Sequence, residues 1–154
     1  MISSSTALIS SGFGSGYAPK APGTVGSIAA VLAWLLLSWL GILPSILSQA
    51  IAALVVAIVG TWATSISLDE EGGEDPQWIV IDEWAGIFIA LIGTSATSSL
   101  HVALAFALFR LFDILKPGPV GKAEDLPGAF GVMGDDIVAG VFALIVLSVL
   151  RMWL

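Results

Sequence analysis

The sequence predicts an all-α fold, a polytopic membrane bundle of about five hydrophobic helices. Three observations carry that prediction. Of 154 residues, 57% are hydrophobic and 11% are charged, where a soluble domain runs nearer ~45–50% and ~25%. Mean hydropathy is +1.01. The charge-free runs are also long: no Asp, Glu, Lys or Arg occurs from Ala21 to Leu68, nor from Trp84 to Phe109. So few charges cannot cover a water-exposed surface. Cysteine is absent, which excludes a thiol nucleophile, a disulfide scaffold and Cys-ligated metal centres. The formal net charge of −7 argues against nucleic acid as a partner, because phosphate contacts need a basic surface.

The first charge-free run is too long for one crossing and suits two, since ~20 apolar residues span the hydrocarbon. Gly41 to Pro44 supplies the break, glycine ending one helix and proline unable to continue it. The first helix is therefore expected over 25–42 and the second over 45–66. The polar stretch Gly93-Thr94-Ser95-Ala96-Thr97-Ser98-Ser99 divides the second run into a short third helix over 77–92 and a fourth over 100–116. Pro76 suits the first turn of that third helix, where its missing N–H is no loss. A fifth helix starts near Asp135 and reaches the C-terminus, with Arg151 snorkelling to the interface. Residues 1–154 then form a single membrane-embedded domain. The N-terminal stretch lacks the basic residues and apolar length of a secretory signal, and Ser3-Ser4-Ser5 reads as a frayed end.

Five crossings put the loops at 1–24, 67–77 and 117–133 on one side and the uncharged loops at 43–44 and 93–99 on the other. Lys20, Lys116 and Lys122 share the first side, against Arg151 opposite. The positive-inside tendency makes the charged side cytoplasmic.

The charged residues are placed like a site. Asp82 and Glu83 fall one to two turns into the third helix, and a carboxylate at the edge of the hydrocarbon is costly enough to be functional by default. Gly134-Asp135-Asp136-Ile137-Val138-Ala139-Gly140 echoes Asp82-Glu83-Trp84-Ala85-Gly86. In each, a glycine follows an acid by four residues on the same helix face, where it lets a second helix approach closely. Arg110, Asp113 and Lys116 share one face at the end of the fourth helix, which Pro117 stops. Acids converging with Arg and Lys suggest a hard cation and a phosphate. Mg²⁺ takes oxygen ligands and binds through carboxylates plus substrate phosphates, Arg offers phosphate a bidentate fork, and Lys offers a point charge.

Ahead of the first helix, Gly12-Phe13-Gly14-Ser15-Gly16 and Ala21-Pro22-Gly23-Thr24-Val25-Gly26-Ser27 form a glycine-rich loop, re-entrant or interfacial. A helix N-terminus with free N–H groups favours an anion. Thr24 is expected to cap the helix and touch phosphate.

Taken together, these two glycine segments, Asp75-Pro76…Ile79-Val80-Ile81-Asp82-Glu83, Phe109-Arg110-Leu111-Phe112-Asp113-Ile114-Leu115-Lys116-Pro117 and Gly134 to Gly140 resemble the phosphatidylglycerophosphatase A family, in the same order along nearly the whole chain. The resemblance implies a bacterial inner-membrane, Mg²⁺-dependent phosphatase that removes the terminal phosphate of phosphatidylglycerophosphate at the cytoplasmic face. It carries function to Asp82, Glu83, Arg110, Asp113, Lys116, Asp135 and Asp136, and to the glycine loop with Thr24. Asp82, Glu83, Asp113 and Asp136 are the expected catalytic acids. Asp82, Glu83, Asp135 and Asp136 are the expected Mg²⁺ ligands, with Asp113 a ligand, a group behind one, or a base. Lys20, Thr24, Arg110 and Lys116 are expected to hold the phosphate. The acidic run Asp69-Glu70-Glu71-Gly72-Gly73-Glu74 departs from the family pattern and reads as a solvated loop, while Asp75 stays a candidate.

Other chemistries fit less well. A phosphohistidine mechanism needs a histidine at the site, and the single one, His101, falls on the opposite side. The Asp-x-Asp-x-Thr of aspartyl-phosphate phosphatases and the Asp-Gly-x-x-Ala-Arg of CDP-alcohol phosphotransferases are missing. The alternative from another class is a small cation transporter or channel. That reading calls for ionisable residues at midspan or on both faces, whereas these cluster at one.

Overall fold

The computed structural model describes residues 4–73 and 75–154, which contain seven α-helices and no strand. A seven-residue helix, α1 (Ser4–Ser10), leads through one 3₁₀ turn into α2 (Pro22–Trp39). Of the expected frayed serines, Ser4 and Ser5 are helical, and Ser3 lies outside the described residues. Pro22 begins α2 and Ala21 is its N-cap, so Thr24 stands inside the first turn rather than capping it. Gly41, at φ +74°, ends the helix: the Ile42 N–H reaches back to the Leu37 carbonyl at 2.9 Å. After Pro44, Ser45 and Ser48 form a reciprocal capping box that starts α3 (Ile46–Glu70).

Helix α4 (Ile81–Ala90) is shorter than expected. Pro76 precedes it instead of opening it, because Ile79 and Val80 are drawn into the core and the Val80 N–H bonds the Ser10 carbonyl at 2.9 Å. Asp82 and Glu83 therefore occupy its first turn, where negative charge suits the helix dipole. Helix α5 (Ser99–Leu115) starts at a Ser98 cap and stops at Lys116. A short α6 (Pro119–Glu124), absent from the sequence reading, precedes α7 (Ala129–Leu150). Helix α7 begins six residues ahead of Asp135, so its two aspartates lie inside the helix.

Helices α2, α3 and α7 are long and apolar enough to cross a membrane. Helix α5 has 17 residues. Helix α4 rises only about 15 Å, half the hydrocarbon thickness, and eight of its ten residues are buried. It is an internal strut packed against α7, α3, α2 and α5. The five-helix bundle thus keeps the expected order, with four lengthy helices around a short central one.

The α4–α7 crossing is closest at the two glycines the sequence singled out. A Cβ on Gly140 would lie 2.5 Å from the Gly86 carbonyl oxygen, and one on Gly86 would lie 2.7 Å from the Asp136 carbonyl and strike the Phe109 ring. Backbone-to-backbone approach of this kind sets the two acid pairs beside each other.

Candidate active site

The acid pairs are built alike. The first carboxylate of each turns back on the backbone of the second: Asp82 Oδ1 accepts the Glu83 N–H at 2.9 Å, and Asp135 Oδ1 accepts the Asp136 N–H at 2.9 Å. Around them opens a cavity of about 390 Å³. Asp75, Asp82, Glu83, Asp113, Glu124, Asp135 and Asp136 line it, with Lys116 as its basic residue and Gly73, Gly128 and Gly131 among the rest.

Two cations are tied into this ring of acids. Arg110 Nη1 donates to both carboxylate oxygens of Glu83, at 2.7 and 2.6 Å, and lies 2.8 Å from Asp113 Oδ2. Ser27 Oγ completes the knot with a 2.5 Å bond to Glu83, while Arg110 Nη2 reaches Thr24 Oγ1 at 3.5 Å. Lys116 Nζ spans Glu124, at 2.7 Å, and Asp135, at 2.9 Å. Burial works against its charge, and those two hydrogen bonds outweigh it, so its ammonium is held more firmly than an ordinary lysine's. Burial, then the neighbouring Asp135, pushes the Asp75 carboxyl above the usual range, with Lys116 opposing.

Seven carboxylates face this cavity and only Arg110 and Lys116 answer them. Buried charges are normally paired or bound to metal. One oxygen from each of Asp113, Asp135 and Asp136 can come within 4.8 Å of the others, and Asp135 and Asp136 are buried. An all-oxygen, all-carboxylate donor set of this kind fits a hard divalent cation such as Mg²⁺. Glu83, expected among the ligands, is instead committed to Arg110 and Ser27. Asp82 stands in the cavity wall outside the converging trio.

Of the expected phosphate ligands, Arg110, Lys116 and Thr24 are brought together with these acids, Thr24 only through Arg110. Lys20 is exposed and does not line the cavity. The Gly12–Gly16 loop is not part of the cavity wall either. It packs on the approach to α4: Phe13 lies 5.5 Å from the Trp84 ring, Tyr17 stacks on Trp78 at 5.8 Å, and a Cβ on Gly16 would strike the Trp78 carbonyl. In the second glycine segment a Cβ on Gly23 would strike the Glu83 carboxylate, and one on Gly26 would lie 2.8 Å from Val80 Cβ. Those glycines let α2 press against α4. Sequence reasoning gave no role to Ser27 or Glu124. Ser27 stands one helical turn beyond Gly23 on the same face, a signal that was legible; nothing in the sequence distinguishes Glu124 from other solvated acids. His101 lies in the first turn of α5, more than two helical turns from Arg110, so no histidine serves the site.

The phosphatidylglycerophosphatase A family description matches residues 8–151. A provisionally named phosphatidylinositol-3-phosphatase of Bacteroides thetaiotaomicron is 44% identical over 149 residues, covering 94% of this chain and 92% of the relative. Phosphatidylglycerophosphatase A of Haemophilus influenzae is 38% identical, covering 96% and 89%, and that of Escherichia coli is 36% identical, covering 88% and 77%. No solved structure matches the chain. With the family match spanning all of the site-bearing helices and the relatives aligning over most of their own lengths, the chain belongs to the phosphatidylglycerophosphatase A family.

Proposed function

We propose that this lipid phosphatase hydrolyses the terminal phosphomonoester of phosphatidylglycerophosphate, in a Mg²⁺-dependent reaction at the cytoplasmic face of a bacterial inner membrane. The observation that carries the reading is the convergence of Asp113, Asp135 and Asp136 beside Arg110 and Lys116 at one end of a membrane bundle. Lys116 and Lys122 lie at that end, and Arg151 at the other, which supports the orientation. The family places the chain among enzymes, so the transporter alternative has no remaining support.

In this reading Asp113, Asp135 and Asp136 hold the metal, which when bound polarises phosphoryl oxygens and acidifies a water molecule. Arg110 and Lys116 neutralise the phosphate, the first through its fork and the second as a point charge. Glu83 and Ser27 fix the guanidinium. Asp82, outside the trio, accepts the proton of the attacking water. The new P–O bond forms as the bond to the glycerol oxygen breaks, and the proton that Asp82 took up passes to that oxygen, which leaves as the alcohol. The apolar walls of the bundle face the acyl chains.

The test is phosphate release by the detergent-purified protein with Mg²⁺ and with excess EDTA. Phosphatidylglycerophosphate, phosphatidic acid and phosphatidylinositol 3-phosphate are the substrates compared. The last stands as a second reading because of the relative at 44% identity. Mg²⁺-dependent release selective for phosphatidylglycerophosphate is the expected result. Selectivity for the inositol lipid transfers the assignment to it, and EDTA-resistant release overturns the metal.

A further inference from the structure

Two apolar cavities lie between the helices below the acidic end. The larger, about 650 Å³, opens between α2 and α3, with Trp84 and Phe88 of α4 behind it. Ile9 and Phe13 line it as well, and Ile81, packed against Gly60, stands in its wall directly ahead of Asp82. The smaller, about 360 Å³, is a groove between α2 and α5, two helices that barely touch. Ile28, Leu32 and Leu35 form one wall, and Val102, Ala103 and Phe106 the other.

The groove's register ties it to the site. Ile28 follows Ser27, and Phe106 precedes Arg110 by one helical turn, so the groove begins just beneath the Ser27–Thr24–Arg110 knot and descends towards Ser99. Arg110 stands at its head with two faces. Nη1 serves Glu83 and Asp113, which line the acidic cavity, while among the described residues Nη2 donates to Thr24 alone, at the outer limit of hydrogen bonding. Ile28 and Leu32 are 47% and 61% exposed, and Ala103 leaves the gap opposite them unfilled.

We infer that the α2–α5 groove seats an acyl chain of the lipid substrate, with the phosphate turned across Thr24 and Arg110 into the acidic cavity. The occupant follows from complementarity: an apolar trough inside the hydrocarbon span, headed by a cation with a free edge, matches an acyl chain ending in a phosphate. The inference rests on the lipid-phosphatase reading and adds the route by which the lipid reaches the acids.

The experiment uses phosphatidylglycerophosphate with a diazirine at the end of one acyl chain, on the intact protein and on Ala103→Trp and Val56→Trp, which fill the smaller and the larger cavity. Photolabel on peptides of α2 and α5 is expected in the wild type and in Val56→Trp, and its loss in Ala103→Trp. In steady-state kinetics Ala103→Trp raises KM for a long-chain substrate about tenfold, the equivalent of about two buried methylenes, with kcat and short-chain turnover unchanged. Label on residues 52–60 and Phe88, or no label because a second copy of the chain covers the groove, overturns the inference, as does an unchanged KM. A wild type that labels the groove yet releases no phosphate supports the groove and removes the reaction; turnover with label elsewhere does the reverse.

Discussion

The two ends of the bundle solve the same problem in opposite ways. At the end holding Gln49, Thr94 and Arg151, a few polar side chains are cross-linked by hydrogen bonds, while Arg151 Nε and Ser38 Oγ are buried without a partner among the described residues. Gln49 Nε2 donates to the Thr94 carbonyl at 3.2 Å, Gln49 Oε1 accepts the Gly93 N–H at 2.7 Å, and Arg151 donates to the Ile92 carbonyl at 3.4 Å and to the Thr94 hydroxyl. The turns there place Gly41 and Gly93 in the left-handed region, at φ +74° and +75°, where glycine fits without strain. At the acidic end, seven carboxylates crowd two cations. Among the described residues the three non-glycines at positive φ, Phe13, Ala21 and Lys116, all belong to that half of the molecule. Such conformations cost of order 1–3 kcal/mol each and persist where the surroundings enforce them. One end is joined by hydrogen bonds around a single cation. The other carries an excess of carboxylates and backbone strain, the features that the proposed metal and phosphate would answer.

The sharpest way to break this contrast is Asp136→Asn. Phosphate release should fall more than about 100-fold, since even groups behind a metal ligand cost ~10–100-fold. The thermal midpoint should hold or rise, because the substitution relieves repulsion among buried acids. Lost activity with a collapsed midpoint would make Asp136 a structural residue. Arg110→Lys comes next: without the fork that spans Glu83 and Asp113, turnover should drop about 10–100-fold, read by phosphate release at saturating lipid. Mg²⁺ at about 100 times its Kd should stabilise the wild type by ~2.7 kcal/mol against thermal or denaturant unfolding, and Asp136→Asn much less. Equal stabilisation of both would remove the metal from this end. Gly140→Ala should cost about 1–3 kcal/mol by forcing α4 from α7, with activity falling as the acid pairs separate. The smallest effect belongs to the opposite end, where Thr94→Val should cost about 1 kcal/mol of stability and leave turnover unchanged; an altered kcat would dissolve the division of labour between the ends.

Most of the architecture was legible because composition dictates it. Charge-free runs, Gly41 to Pro44 and the serine-rich stretch near Ser98 set the order of the five hydrophobic helices, and left out the short α1 and α6. The differences share one cause: glycine and proline signal helix boundaries locally, and tertiary packing moves those boundaries. Residues 128–134 hold three glycines and read as loop, yet Ala129 already begins α7. A Cβ on Gly131 would strike the Leu126 carbonyl, so close packing against the preceding turn, not backbone propensity, selects glycine there. Pro76 pointed to a helix start that the burial of Ile79 and Val80 postpones to Ile81. The acids were readable because a buried carboxylate is expensive anywhere. The pairing of Glu83 with Arg110 rather than with the aspartates depends on a crossing of α4 and α5 that no local pattern encodes.

The Gly86–Gly140 crossing has a consequence for the enzyme's dependence on its bilayer. Spans longer than the local hydrocarbon answer a change of membrane thickness by tilting. Helix α4 ends inside the protein and is pinned backbone to backbone on α7. A tilt of α7 therefore carries α4 with it, and Asp82 and Asp136 keep their relative height while the outer helices lean. Lipid composition should alter how readily substrate reaches this catalytic centre, and leave the spacing of its acids untouched.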